Sequence, residues 1–308
     1  MTDFATALHA QLQPLAENRI YIGTSSWKYP GWIGQLYQPQ HYLTRNKFSQ
    51  AKFDAHCLSE YSKTFPSVCV DAAYYQLPTE ATLEKLCAST PSHFRFSFKV
   101  TNLFTLKHFP NQPRHGKSAG QLNPHFLNHK LFANSFLNPC KNFRSSIGVL
   151  IFEFSQFYPR DFTSGREFVA DLNRFLEELP KGWQYAVEIR NQTFLQPEYF
   201  ATLHRHGVAH VFNSWTRMPP VHDQLAIPHS QTTDFLVARF LLTPGRTYAQ
   251  AVSAFTPYSA TQAPDFHARI AGRSLIARAK LANQPSFIYV NNRLEGNALN
   301  TVKALVES

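Results

Sequence analysis

The sequence predicts an α/β fold, a single-domain (β/α)8 TIM-type barrel, and three observations support this prediction. The chain has 308 residues, a length that suits one large barrel. Short apolar runs alternate with segments of helical periodicity along the whole sequence. No G-x-G-x-x-G motif follows the first apolar run, which disfavours the main alternative, a doubly wound open sheet.

Eight apolar runs are the predicted strands. Most are continuous Val, Ile and Phe segments, as expected for parallel strands that are covered on both faces. These runs are residues 20–27, 68–75, 94–100, 147–154, 185–191, 207–213, 235–241 and 286–292.

Amphipathic helices are predicted between the strands. One helix has Ser164 and Glu167 in capping-box spacing ahead of an apolar stripe, and another begins at Pro197 and ends at Gly207. The clearest helical segments are residues 164–179, 197–207, 264–283 and 296–308. Residues 1–308 are predicted to form a single domain, of which residues 1–19 are an N-terminal extension.

Two long segments interrupt the alternation of strands and helices. Residues 102–146, between the third and fourth strands, are interpreted as an insertion that holds a basic loop at 107–117 and a helix near 123–136. Residues 214–233 form a second, proline-containing loop. Both segments follow the carboxyl ends of strands, which is the face where active sites of such barrels are built.

The composition indicates a globular, basic protein. Hydrophobic residues make up 44% of the chain and charged residues 16%, which excludes a disordered protein. Thirty Lys and Arg residues against twenty Asp and Glu residues give a net charge of +10. This balance favours anionic partners, but it is equally consistent with a generally basic protein that has no such partner.

The cysteines and the absence of membrane signals predict a cytoplasmic location. The four cysteines show no C-x-x-C spacing and no disulfide framework, so reduced buried thiols are expected. The N-terminus lacks the basic start and apolar block of a signal peptide. No apolar run approaches transmembrane length, so no membrane partner is expected.

Charged residues inside apolar strands identify the candidate site. Side chains alternate between the faces of a strand, so Glu188 and Arg190 point the same way. Burial of both would cost several kcal/mol unless they pair or bind a ligand. The outer face of each strand should be apolar, so polar strand residues are assigned to the barrel interior, where they converge on one pocket mouth. These residues are Asp71, Arg95, Ser97, Lys99, Glu153, Glu188, Arg190, Arg239, Asn291 and Asn292.

The residue types suggest roles in an anion-binding, catalytic site. Arg190 and Arg239 suit bidentate binding of phosphate or carboxylate. Lys99 can supply a positive charge or a Schiff-base amine, and Glu188 or Asp71 a general acid or base. The further substrate-binding candidates are Arg95, Trp27, Tyr75, Asn213, Asn291 and Asn292. The alternative is an internal salt-bridge layer that only fills the barrel.

Metal and aromatic signals are weaker. His125 and His129 are four residues apart, but no third ligand accompanies them, and Lys and Arg residues near Asp71, Glu153 and Glu188 argue against a cation there. No metal is therefore predicted, and the cofactor is unknown. Trp27, Tyr29 and Trp32 either pack over the barrel or stack a base or sugar at its mouth.

Several short motifs occur in order along the chain: "IGTSSWKYPGW", "VDAAYYQLP", "FRFSFKV", "AVEIR", "ARF" and "YVNN" followed by "GNALN". With these motifs the sequence resembles the YecE-like family, catalogued as domain-of-unknown-function family 72. The resemblance extends from Ile20 to about Leu305. It implies a barrel and a pocket with residues equivalent to Lys99, Glu188, Arg190 and Arg239, and it assigns no reaction.

The chain departs from the family pattern at three places. Asp71 occupies a position where Glu is common, and Asn213 one that is often Asp. Glu153-Phe154-Ser155 replaces the usual Gln-Leu-Pro.

Three functions are compatible with these observations. The first is an enzyme that acts on a phosphorylated or other anionic substrate. The second is a nucleic-acid-binding protein, such as a repair-type nuclease, that uses its basic loop and aromatic residues. The third is a ligand-binding scaffold without turnover. Fold alone does not decide among them.

Overall fold

Eight parallel strands form a closed barrel in the computed structural model, which describes residues 1–307 except the Arg114 side chain. Each strand pairs with its neighbours in chain order, and the first closes the ring by pairing with both the second and the eighth. The strands are β1 Ile20–Thr24, β2 Ser67–Val70, β3 Arg95–Lys99, β4 Ile147–Phe154, β5 Gln184–Ile189, β6 Ala209–Ser214, β7 Leu236–Phe240 and β8 Ser286–Val290. The predicted fold class is confirmed.

The helices lie between the strands, with short additional helices in the connecting segments. They are α1 Asp3–Glu17, α2 Gln50–Tyr61, α3 Glu80–Ala88, α4 Asn102–Thr105, α5 His129–Phe132, α6 Asn138–Cys140, α7 Gly165–Glu177, α8 Pro197–His206, α9 Val221–Ala226, α10 Tyr248–Phe255, α11 Phe266–Leu281 and α12 Ala298–Val306. Ser164 caps α7, and Gly207 ends α8 with a left-handed φ of 64° that glycine adopts without strain. No helix within residues 1–307 is long and apolar enough to cross a membrane.

The second predicted strand is too long. Residues 68–75 were expected to be extended, but β2 ends at Val70 and Asp71–Tyr74 form a 3-10 turn. The alternation of strand faces therefore stops before Asp71, whose position at the barrel mouth follows from this turn. The other seven strands lie within about two residues of their predicted bounds, apart from the C-terminal end of β1.

The barrel interior is filled by side chains and forms no open pore. The Tyr289 hydroxyl donates to Ser97 Oγ at 2.6 Å and lies 2.8 Å from Ser67 Oγ. Apolar side chains such as Val149 and Phe287 pack around these groups. This layer is the base on which the charged residues at the strand ends rest.

The N-terminal extension and the insertion both pack against the barrel. Helix α1 buries Leu8, Leu12 and Leu15 and contacts β1. In the insertion, α5 begins at His129, so the helix predicted near residues 123–136 starts later than expected and His125 lies outside it. Within residues 1–307, no group of three or more His, Cys, Asp and Glu side chains is arranged to hold a metal ion.

Candidate functional site

A continuous chain of ion pairs crosses the C-terminal end of the barrel. Acidic and basic side chains alternate along it in the order Lys99, Glu153, Arg190, Glu188, Arg239 and Asp71. These residues come from β3, β4, β5 and β7 or directly follow β2 and β5, because parallel strands all end at the same face. Three cations and three carboxylates make the chain formally neutral.

Glu188 is the completely buried centre of this chain. Its Oε1 accepts hydrogen bonds from Arg190 Nε at 3.2 Å and Nη2 at 3.0 Å. Its Oε2 accepts a 2.6 Å hydrogen bond from Arg239 Nη1. Glu188 and Arg190, the two charged residues of the "AVEIR" motif, therefore pair with each other. Because Glu188 has no exposed surface and does not line the pocket, this predicted general acid or base lies beneath the pocket floor.

Arg239 connects the buried centre to a carboxylate that reaches the pocket. Its Nη2 donates a 2.6 Å hydrogen bond to Asp71 Oδ1. Burial favours loss of the Arg239 charge, but Asp71 and Glu188 more than offset this effect and raise the pKa of Arg239 well above its usual value. The Asp71 side chain is 26% exposed, so it is the accessible carboxylate of the chain.

Glu153 connects the other end of the chain. It forms ion pairs with Lys99 and with Arg190 Nη1, the latter at 3.3 Å. Burial alone would raise the pKa of Glu153, but the charges of Arg190 and Lys99 lower it to about 2. Lys99 Nζ lies 3.6 Å from the centre of the Tyr74 ring, and Arg190 Cζ lies 3.6 Å from the Trp215 ring. Both cations are thus held against an aromatic face.

A pocket of about 890 Å³ opens above these residues. Its lining contains six Lys and Arg side chains and three carboxylates: Lys99, Lys107, Arg160, Arg190, Arg239 and Arg293, with Asp71, Glu153 and Asp161. The volume lies within the range of small-molecule sites, about 300–1,000 Å³. The lining has an excess of positive charge even when Glu188 is counted with the acids.

Two cations at the pocket lack an acidic partner among residues 1–307. Arg160 is exposed and forms no ion pair in that part of the chain. Arg293 is half-buried, and its guanidinium Cζ lies 4.6 Å from the Tyr248 ring. Its Nε is buried without a hydrogen-bond partner in the described structure. These two residues carry the positive charge that the ion-pair chain leaves uncompensated.

Arg95 does not reach the pocket, which corrects the sequence prediction. It is the first residue of β3 and therefore lies at the opposite end of the barrel from Lys99, the last residue. Its Nη1 donates to the carbonyl oxygens of Ser92 and Phe94, both at 3.2 Å. Alternation along a strand fixes the face of a side chain but not its height in the barrel.

Three further candidates are structural and do not line the pocket. Trp27 is 8% exposed within the hydrophobic core. Asn213 donates from Nδ2 to the Ile189 carbonyl oxygen at 3.2 Å. Asn292 accepts at Oδ1 from Trp32 Nε1 at 3.2 Å, and this contact fixes the loop after β1. Trp27 and Trp32 therefore pack within the hydrophobic core, and neither lines the pocket.

The remaining candidates line the pocket. Asn291 accepts at Oδ1 from the Arg293 backbone N–H at 3.0 Å, which positions the segment that carries Arg293. Tyr75 is 59% exposed at the mouth. Tyr29 also lines the pocket, and burial raises the pKa of its hydroxyl to about 12.

A carboxylate–histidine pair on the pocket wall was not predicted from the sequence. His108 Nδ1 lies 2.6 Å from Asp161 Oδ1, and Asp161 Oδ2 accepts a 2.8 Å hydrogen bond from the Tyr158 backbone N–H. His108 belongs to the insertion and Asp161 to the segment after β4, so no motif joins them. The only available signal was that both follow the carboxyl ends of strands.

The fold and the site together define a (β/α)8-barrel protein with a polar, charge-lined pocket at the C-terminal face. The profile of the family described as "Protein of unknown function DUF72" matches residues 21–308. The chain belongs to this family, which includes the YecE-like proteins named above.

Two solved structures of family members have the same fold. The first, from Enterococcus faecalis V583, is 19% identical with a TM-score of 0.60, and the match covers 94% of this chain and 96% of that one. The second, from Thermotoga maritima MSB8, is 18% identical with a TM-score of 0.55, and the match covers 92% of this chain and 97% of that one. No curated protein matches the chain. At these identities, the similarity supports the fold alone.

Proposed function

We propose that this protein is an enzyme that binds a phosphorylated or otherwise anionic substrate in the pocket at the C-terminal face of the barrel. One observation carries the proposal: six Lys and Arg side chains line the pocket against three carboxylates. Arg160 and Arg293 have no acidic partner in the described part of the chain, so an anionic ligand would supply their missing countercharge.

The accessible groups of the floor have the chemistry for proton transfer and charge stabilisation. The Asp71 side chain is 26% exposed, and its Oδ1 is held by Arg239. Its Oδ2 has no hydrogen-bond partner within residues 1–307 and is the general acid or base of the proposal. The Lys99 side chain, 12% exposed, stabilises negative charge on the substrate. Arg190, Arg239, Glu188 and Glu153 hold these two groups in position.

His108 is a second group for proton transfer in the proposed reaction. Its hydrogen bond with Asp161 favours the tautomer in which Nδ1 carries the proton, which leaves Nε2 as a base. A histidine oriented by a carboxylate is a common arrangement for general acid–base catalysis. His108 and Asp71 both line the pocket and are the two candidates for complementary acid and base.

Thermal unfolding with inorganic phosphate and a panel of phosphorylated metabolites tests the proposed anion site. Because a ligand that binds only the folded state raises Tm, at least one compound should stabilise the wild-type protein. Arg160→Gln and Arg293→Gln should weaken this stabilisation. Arg166→Gln removes an 87% exposed arginine outside the pocket and should leave it unchanged. Failure of inorganic phosphate and of every phosphorylated compound to stabilise the wild type would refute a phosphorylated substrate, and the same failure with a panel of carboxylates and sulfates would refute the proposal.

Product analysis then separates an enzyme from a binding scaffold. The compound that stabilises the protein is incubated with wild type and with Asp71→Asn, and the mixture is followed by NMR. Conversion by the wild type that is lost in Asp71→Asn supports catalysis. Binding without any conversion supports the scaffold.

Nucleic-acid binding is the second candidate function, and the insertion loop favours it. Residues 107–117 reach the pocket through Lys107, His108, Pro110 and Gln112, and Lys117 is exposed on the same loop. A loop of this charge can follow a phosphate backbone into the pocket. DNA or RNA binding would weaken steeply with added salt and would be reduced in Lys117→Gln. Binding of a small phosphate ester would not depend on Lys117.

A further inference from the structure

We infer that the substrate carries a ring next to its anionic group, so that it is a ring-bearing phosphate ester of the sugar-phosphate or nucleotide class. In this inference the ring stacks on Tyr248, and two further exposed tyrosines of the pocket mouth, Tyr75 and Tyr158, flank the ligand. The inference rests on the proposed anion-binding function, and it adds the chemical class of the substrate.

The exposure of these tyrosines is the first observation. Tyr75 is 59% exposed, Tyr158 51% and Tyr248 53%, and among residues 1–307 no other tyrosine is exposed to this extent. All three line the same pocket. An exposed aromatic ring contributes little to the folded core, and several such rings in the lining of one pocket are typical of a binding surface.

The origin of the three side chains is the second observation. Tyr75 follows the turn after β2, Tyr158 follows β4, and Tyr248 begins α10 in the segment after β7. Three separate connections thus each bring one tyrosine to the same opening. Packing of the core does not explain this convergence, since none of the three rings is buried. A ligand that is held between several loops does explain it.

Contacts of the rings hold two of them in place. Tyr75 meets Tyr74 edge-on, with ring centres 5.1 Å apart and planes at 85°, and Tyr74 in turn covers Lys99. The Arg293 guanidinium Cζ lies 4.6 Å from the Tyr248 ring centre. A ring that is already positioned loses less side-chain entropy when a ligand stacks on it.

The contact between Arg293 and Tyr248 also sets the distance between the two parts of the ligand. Arg293 is one of the cations without an acidic partner in the described structure, and it lies directly beside an exposed ring. An anion on Arg293 and a ring on Tyr248 would therefore be only a few bonds apart. Sugar phosphates and nucleotides have this spacing, and the pocket volume of about 890 Å³ accommodates either.

Isothermal titration calorimetry with four probes tests the inference. Inorganic phosphate and glycerol 3-phosphate carry the anion without a ring, ribose 5-phosphate adds a sugar ring, and AMP adds a sugar and a base. We expect ribose 5-phosphate or AMP to bind at least about tenfold more tightly than glycerol 3-phosphate. Tighter binding of AMP than of ribose 5-phosphate identifies the base as the stacked ring, and equal binding identifies the sugar.

Substitutions at Tyr248 link the gain in affinity to stacking. Tyr248→Ala should weaken binding of the ring-bearing probe severalfold more than binding of inorganic phosphate, whereas Tyr248→Phe keeps the ring and should retain the advantage of the ring-bearing probe. The triple change of Tyr75, Tyr158 and Tyr248 to Ala should abolish it. Phe266→Ala is the matched control, because Phe266 is a 67% exposed aromatic residue on α11 that does not line the pocket.

The outcomes separate this inference from the function on which it rests. If all three esters bind with equal affinity, or if the triple variant keeps the advantage, the ring-stacking inference is wrong and the anion site stands. If neither phosphate nor any ester binds, both are wrong. If Tyr248→Ala loses affinity equally for inorganic phosphate and for the ring-bearing probes, Tyr248 only supports Arg293. This result would also contradict stacking.

Discussion

Arg239 Nη1 donates a 2.6 Å hydrogen bond to Glu188 Oε2 beneath the pocket floor, where Arg239 retains 1% of its exposure and Glu188 none. Glu188 also accepts two hydrogen bonds from Arg190, so one carboxylate holds two guanidinium groups. A buried carboxylate that bridges two arginines fixes their positions relative to each other. Glu188 is therefore a positioning residue for the groups above it.

The first prediction concerns the charge of Glu188. Glu188→Gln leaves Arg190 and Arg239 buried with one carboxylate fewer, so we expect the free energy of unfolding to fall by about 3–5 kcal/mol. Urea denaturation followed by circular dichroism measures this difference. An unchanged or increased stability would show that the central charge is not required by its two arginines.

A matched control separates burial from pairing. Glu198 accepts a 3.1 Å hydrogen bond from Arg166, and both side chains are exposed, at 42% and 87%. Because an exposed ion pair is screened by water, Glu198→Gln should leave the urea midpoint within experimental error. A large loss in this variant would mean that replacement of Glu by Gln is harmful for reasons other than burial.

The comparison of Lys99 with Arg95 shows how far the sequence predicts the site. Both residues lie on the face of β3 that points into the barrel, as the alternation predicts. They nevertheless lie at opposite ends of the barrel, because they are the first and last residues of the strand. The strands were predictable because buried parallel strands need continuous apolar runs. The position of Asp71 was not, because it depends on a 3-10 turn that ends β2 early.

The pocket walls were less predictable than the floor for a related reason. His108 and Asp161 are 53 residues apart and meet only because the insertion folds over the mouth. The exposed Tyr158 and Tyr248 lie outside the strands and follow no periodic pattern. The sequence of a loop has no periodicity that indicates which way a side chain points or which residue it meets. The convergence of loop residues therefore depends on tertiary structure.

The second prediction concerns the tautomer of His108. Its hydrogen bond to Asp161 should keep the proton on Nδ1 in the neutral imidazole. Long-range ¹H–¹⁵N NMR spectra of ¹⁵N-histidine-labelled protein distinguish the two tautomers, and His108→Gln identifies the signal. Asp161→Ala should shift His108 towards a mixture of tautomers. A predominant Nε2–H form in the wild type would contradict the proposed orientation.

The third prediction concerns thiol reactivity. Burial raises the pKa of both Cys57 and Cys140 to about 12 and that of Cys69 well above its usual value, so very little thiolate is present at pH 8. Cys87 is half-buried, whereas the other three cysteines are buried, so its thiol is the most accessible of the four. We expect iodoacetamide to modify one thiol in the native protein and four in urea, as measured by mass spectrometry. Cys87→Ser should reduce the native value to zero, and rapid labelling of Cys57 would contradict the prediction.

The last prediction is a pH dependence of stability that arises from His210. This side chain is 2% exposed, its Nδ1 lies 3.1 Å from the Tyr199 hydroxyl, and the rings of Phe200 and Phe212 meet it edge-on. Burial lowers the pKa of His210 from 6.5 to about 3, so the folded protein keeps it neutral. The unfolded chain takes up the proton below about pH 6.5, and the free energy of unfolding must therefore fall as the pH falls from there towards 3.

Between pH 7.5 and 5.5, His210 alone should lower the free energy of unfolding by about 1.4 kcal/mol. Urea denaturation of wild type and His210→Gln at both pH values isolates this contribution, because glutamine does not titrate. The variant can be less stable overall, so the measured quantity is its smaller change between the two pH values. NMR gives the direct test: the ring signals of His210 should not move between pH 7.5 and 5. A titration midpoint near 6.5 would mean that the imidazole accepts a proton in the folded state, and the pH dependence would then have to come from other groups.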